Sequence, residues 1–117
     1  MDKFTILRDH FGHSRYRSGQ LEVIDAILAR RDVLGIMPTG AGKSICYQVP
    51  ALLLDGVTIV VSPLISLMKD QVNALTQAGI PAAFLNSSLS QEEYRDVMSN
   101  TRAGAYKILY VAPERLL

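Results

Sequence analysis

The residue types best suited to chemistry fall in one short stretch, Met37-Pro38-Thr39-Gly40-Ala41-Gly42-Lys43-Ser44. The oxygens of a polyphosphate are held by backbone N–H groups turned inward, and glycine lets the main chain come close enough to do it. A helix that starts at such a loop adds unpaired donors and partial positive charge. Lys43 supplies an ammonium for the terminal phosphates, and Ser44 supplies a hydroxyl for Mg²⁺. The stretch follows the pattern G-x-x-x-x-G-K-[ST], except that Met37 stands where the first glycine is usual. A glycine-rich turn serving only as a connection is the alternative. A lysine at a helix start opposes the helix dipole, so a purely structural role suits Lys43 poorly.

Such a cradle must sit between a strand and a helix. Val33 to Met37 is a short apolar run that reads as a buried strand, and Lys43 opens a helix reaching about Leu54. Upstream, Lys3 to His10 reads as a helix stopped by Gly12. A second helix capped by Ser18 places Leu21, Ile24, Ile27 and Leu28 on one face. Downstream, Val57 to Val61 predicts a strand, Leu64 to Ala78 a helix, and Ala82 to Leu85 a weaker strand. Gln91 to about Thr101 reads as a helix capped by Ser90, and Lys107 to Val111 as a last strand. Strands alternating with helices imply parallel strands joined by right-handed crossovers. The expected fold class is α/β: a RecA-like P-loop NTPase sheet flanked by helices, with ligands at the carboxyl ends of the strands.

Composition sets the outer bounds. The 117 residues are 49% hydrophobic and 20% charged, with a net charge of +1. That suits one folded domain and gives no bulk electrostatic case for nucleic acid or membrane. The single cysteine, Cys46, excludes an intrachain disulfide and a cysteine zinc cluster. It reads as a packing residue, or as a thiol activated at a helix start. No apolar run approaches a membrane span, and the cytoplasm is the expected compartment.

Three further segments carry a resemblance. Phe11-Gly12-His13-Ser14-Arg15-Tyr16-Arg17-Ser18-Gly19-Gln20 resembles motif 0 of the RecQ family of DNA helicases. The stretch 37–44 is similar to motif I of superfamily 2 helicases, Ser62 to Gln71 to the RecQ motif Ia, and Tyr110 to Arg115 to the motif after it. The resemblance runs from about Phe4 to Leu117. It implies an ATP- and Mg²⁺-dependent 3′-to-5′ DNA-unwinding motor of replication, recombination and repair. The partners would be single-stranded DNA and duplex junctions, and the location the nucleoid, or the nucleus of a eukaryote.

On that resemblance His13, Arg17 and Gln20 bind adenine, and a glutamine amide can pair with adenine in bidentate fashion. Thr39, Gly40, Ala41, Gly42, Lys43 and Ser44 hold the phosphates, Lys43 being the catalytic residue and Ser44 the metal ligand. Ser62, Ser66, Lys69 and Arg115 are candidates for DNA backbone contacts.

Hydrolysis also needs an acidic residue on a Walker B strand. Asp55 follows four apolar residues but ends the helix after the cradle, where it reads as a turn residue. Residues 1–117 therefore read as one incomplete ATP-binding domain, truncated before that strand, in which little turnover is expected of the segment alone. A DEAD-box RNA helicase, a non-catalytic nucleotide-binding fragment and a small-molecule kinase are the competing readings. The adenine motif upstream of the cradle opposes the last.

Overall fold

The computed structural model describes residues 2–37 and 42–116. They divide into two compact units, one ending at Asp55 and the other beginning at Gly56.

The first unit is helical. Helix α1 spans Lys3–Phe11, α2 Gln20–Leu28 and α3 Ile45–Leu53. Asp2 caps α1, its carboxylate accepting the N–H groups of Phe4 and Thr5 at 3.0 and 2.8 Å. Gly12, at φ 72°, closes α1 in the left-handed conformation. Ile6, Ile24 and Val49, one from each helix, form the buried centre, packed round by Phe11, Tyr16, Leu28, Ile45, Leu52 and Leu53. Tyr16 ties the segment between α1 and α2 to this centre. Its hydroxyl donates to the Lys3 carbonyl at 2.5 Å, and burial, reinforced by the charges of Asp2 and Asp25, pushes its pKa up to about 12.

Three expectations fail in this unit. Ser18 does not cap α2: the cap position is Gly19, at φ 87°, with no side-chain hydrogen bond. The chain turns there through a Gln20 N–H bond to the Arg17 carbonyl, and only a residue tolerant of positive φ fits. Val33 to Met37 forms no strand. Leu34 and Ile36 are each 87% exposed, and among the described residues the segment pairs with no neighbour. A parallel strand is stabilised by ladder partners, and Gly35 weakens the run further. Helix α3 starts at Ile45, two residues later than expected, and carries Pro50 in its interior without a regular N–H donor there.

The second unit holds the sheet. Strands β1 (Thr58–Val61), β2 (Ala82–Leu85) and β3 (Ile108–Val111) are parallel, in the order β1-β3-β2. Helices α4 (Ile65–Gln77) and α5 (Gln91–Arg102) supply the crossovers, and a 3-10 turn follows at Pro113–Leu116. The register pairs Val61 with Val111, and Leu85 with Val111. Ala83, Leu85, Leu109 and Val111 bury one face against Leu89, Tyr94, Val97, Met98 and Tyr106. Ile108 and Tyr110, on the other face of β3, are fully buried. At the edge, β1 leaves Ile59 and Val61 about half exposed.

Ser90 caps α5 as expected. Its hydroxyl accepts the Glu93 N–H at 3.1 Å, while the Glu93 carboxylate accepts the Ser90 N–H at 2.9 Å. These bonds, the backbone one foremost, hold the Glu93 carboxyl below its ordinary range, with help from the charge of Lys69.

Candidate nucleotide and nucleic-acid sites

Motif 0 lies on the turn between α1 and α2, where Gly12 and Gly19 let the backbone reverse twice. His13 and Arg17 are exposed on this turn. Gln20 opens α2 and is 2% exposed. A glutamine at a helix start would ordinarily face water. Here its Oε1 accepts the Arg17 N–H at 2.7 Å, and its Nε2 donates to the Gly42 carbonyl at 2.9 Å. Motif 0 and the Gly42-Lys43-Ser44 stretch, 22 residues apart in sequence at this contact, thus meet through one side chain.

His13, Arg15, Arg17, Gln20, Gly42 and Ile45 line a cavity of about 60 Å³. Ligand pockets run from roughly 300 Å³ upward, so this space is smaller than an ordinary ligand site. Gly42 stands at φ 75°, and a Cβ placed on it would come within 2.5 Å of Gln20 Nε2. The glycine is required twice, by conformation and by space.

Thr39, Gly40 and Ala41 lie outside the described residues. Lys43 and Ser44 form the turn leading into α3, and Lys43 is exposed. Lys43 lines a second cavity of about 380 Å³, together with Arg31, Asp32, Met37, Cys46 and Tyr47. The Ser44 hydroxyl makes no capping hydrogen bond to α3, so it is not committed to the helix. Cys46 is buried, with its sulfur 3.9 Å from Met37 Sδ, and burial raises its pKa. That selects the packing role over an activated thiol.

The expected nucleic-acid contacts belong to the second unit. Ser62 follows β1, donates its N–H to the Val111 carbonyl at 3.1 Å, and accepts the Leu64 N–H on its hydroxyl at 3.2 Å. Parallel pairing thereby brings the carboxyl ends of β1 and β3 together, with motif Ia leaving one and the Ala-Pro-Glu-Arg segment the other. Ser66 and Lys69 are exposed on the first turns of α4, three residues apart and so on one face. Lys69 shares a cleft with Glu93 and Asp96, so an anion there meets carboxylates as well as an ammonium. The Arg115 guanidinium sits over the Tyr94 ring, 5.0 Å from its centroid, in a groove also lined by Ser90, Gln91 and Arg95.

Two features of the fold leave no local signal in the sequence. The Gln20–Gly42 contact has no signature in spacing. Asn86, after β2, is 1% exposed and accepts both the N–H and the hydroxyl of Ser88, a local turn buried by the sheet. Among the described residues, no group of three or more His, Cys, Asp or Glu side chains could hold a metal ion. No described helix is long and apolar enough to cross a membrane.

A small parallel sheet flanked by helices, with Gly-Lys-Ser leading into a helix, defines an α/β fragment of the RecA-like P-loop type. Residues 17–117 match the DEAD/DEAH box helicase family, and the chain belongs to that family. It is 54% identical over 113 residues to the ATP-dependent DNA helicase RecQ of Bacillus subtilis, covering 96% of this chain and 19% of that protein. The RecQ helicase of Haemophilus influenzae is 51% identical over 113 residues, covering 97% of this chain and 18% of that protein. ATP-dependent DNA helicase Q1 of Rattus norvegicus is 48% identical over 113 residues, with 95% and 18% covered. The chain therefore spans about a fifth of the length of the curated relatives it matches.

Proposed function

We propose that this chain is the ATP-binding part of a 3′-to-5′ DNA helicase that couples hydrolysis to duplex unwinding in replication, recombination and repair. Residues 1–117 belong in this reading to a single motor domain, carrying motifs at 11–20, 37–44, 62–71 and 110–115. Gln20 reads the adenine edge, with His13 against the base and Arg17 beside it. Thr39, Gly40, Ala41 and Gly42 offer backbone N–H groups to the phosphates. Lys43 neutralises charge on the transferring phosphate, acting where charge builds in the transition state. Ser44 would hold Mg²⁺, whose charge would offset that of the phosphate oxygens.

The observation that carries the reading is the hydrogen bond from Gln20 to Gly42, which joins the two motifs in one site. The donor set fits a nucleotide: an exposed ammonium, a hydroxyl that makes no capping bond to its own helix, and a glycine whose Cβ would strike the Gln20 amide. For nucleic acid, Ser62, Ser66 and Arg115 at the carboxyl edge of the sheet supply phosphate contacts, with Lys69 the weakest because of its carboxylate neighbours. The work takes place on chromosomal DNA, single-stranded or at junctions, in the cytoplasm of a bacterium or the nucleus of a eukaryote. The segment by itself binds nucleotide weakly and turns over little.

Lys43→Ala tests this in the intact protein. DNA-stimulated ATP hydrolysis is expected to fall by at least about a hundredfold, with the melting temperature unchanged because the side chain is exposed. Undiminished turnover removes Lys43 from the mechanism. Unwinding of an RNA duplex but not a DNA duplex would replace the reading with an RNA helicase.

A further inference from the structure

A groove of about 400 Å³ runs along β2 in the second unit. Strand β2 is an edge: the order is β1-β3-β2, and among the described residues no strand pairs with its other side. The Pro81 and Leu85 carbonyls accept the Ile108 and Ala112 N–H groups at 3.4 and 3.0 Å, so these positions face β3. Alternate residues of a strand turn their N–H and C=O to opposite sides. Ala82 and Phe84 therefore direct theirs outward, where no described strand meets them. An edge of this kind is a template for one more strand.

The edge is recessed. The chain passes from β1 over β3 to β2 through α4, and back to β3 through α5. Right-handed crossovers running in opposite directions set the two helices on opposite faces of the sheet. Both overhang β2: Lys69 and Val72 of α4 and Glu93 and Asp96 of α5 line the groove with Ala82 and Phe84. Ala82, Ala83 and Leu85 are buried although one side of the strand is unpaired. The β2 edge of a second copy, flanked by its own helices, would collide before the backbones came within hydrogen-bonding range. A single extended chain fits.

The charge in the groove selects among extended chains. Glu93 and Asp96, three residues apart on α5, share a face. Lys69 is the one cation lining the groove, and its charge already acts on Glu93. Asp96 has no ion-pair partner among the described residues. Two carboxylates against one ammonium leave the groove a cation short, and they repel a phosphate backbone. We infer that the outer edge of β2 is a docking site for an extended basic peptide of a partner protein, which adds as a fourth strand and sets an arginine or lysine against Asp96. Main-chain bonds to Ala82 and Phe84 supply affinity, and the carboxylate supplies the choice of side chain.

Short fluorescent peptides test this on the intact protein, wild type and Asp96→Lys. One alternates valine with arginine, one alternates valine with glutamate, and one is the arginine peptide N-methylated along its backbone. Asp96 is exposed, so the substitution leaves the core untouched, and melting curves verify the fold. The arginine peptide is expected to bind wild type and to bind Asp96→Lys on the order of tenfold more weakly. N-methylation, which removes the strand's donors and keeps its charge, is expected to abolish binding. Equal binding by the N-methylated peptide overturns strand addition. Equal binding by Asp96→Lys, or by the glutamate peptide, overturns the assignment to this groove. Failure of the arginine peptide to bind wild type overturns the inference, as it would if another segment of the same protein filled the edge. Self-association in sedimentation that Asp96→Lys abolishes would give the edge to a second copy instead.

Discussion

Val33-Leu34-Gly35-Ile36-Met37 and Ile108-Leu109-Tyr110-Val111 are both short apolar runs, and by composition alone they are equally good strands. The second is the buried centre of a parallel sheet, hydrogen-bonded on both sides. The first belongs to a unit with no described strand and turns its largest side chains to water. The contrast teaches that a parallel strand is a property of its neighbours. β3 is paired residue for residue with a neighbour on each side, whereas Val33 to Met37 has no ladder partner among the described residues. Among the described residues of the phosphate motif, Gly42 is held by the Gln20 amide, and Lys43 and Ser44 lead into a helix.

Substitutions measure that contrast in stability. Ile108→Ala cuts into the filled centre of the sheet and is expected to cost about 2–5 kcal/mol in chemical denaturation. A cost below about 0.5 kcal/mol, the range of surface changes, would mean that the sheet unit is no better consolidated than the helical one. Ser90→Ala removes the cap of α5 and is expected to cost about 1 kcal/mol. The same cap sets a pH signature. The folded Glu93 carboxyl titrates below its ordinary value of 4.5, because the Ser90 N–H and hydroxyl favour its charged form. As pH falls, the unfolded chain takes up this proton first. The contribution is therefore complete above the ordinary glutamate range and is lost as pH drops through the lowered value. Denaturation midpoints of Glu93→Gln and wild type should converge in that acid window, and parallel pH profiles would show that the box is not formed. Leu34→Ser, at the exposed run, should change stability by less than about 0.5 kcal/mol. A larger loss would reveal that Leu34 is buried in solution and that the two runs are more alike than the structure has them.

Much of this protein was legible before any coordinate. The three strands of the second unit, the helices between them and the Ser90 cap follow from apolar runs, β-branched residues and punctuation by Gly and Pro. All of these are local signals read within a few residues. The residue types of the phosphate motif and its resemblance to RecQ helicases were equally plain in Gly42-Lys43-Ser44 and Gln20. Tertiary structure alone decided the rest. It left Val33 to Met37 without a ladder, because pairing depends on what lies alongside and no residue encodes its neighbour. It moved the start of α2 from Ser18 to the left-handed Gly19, because a turn is chosen by the path on both sides of it. It buried Gln20 and set its amide on the Gly42 carbonyl, because a hydrogen bond between distant residues exists only once packing has brought them within 3 Å.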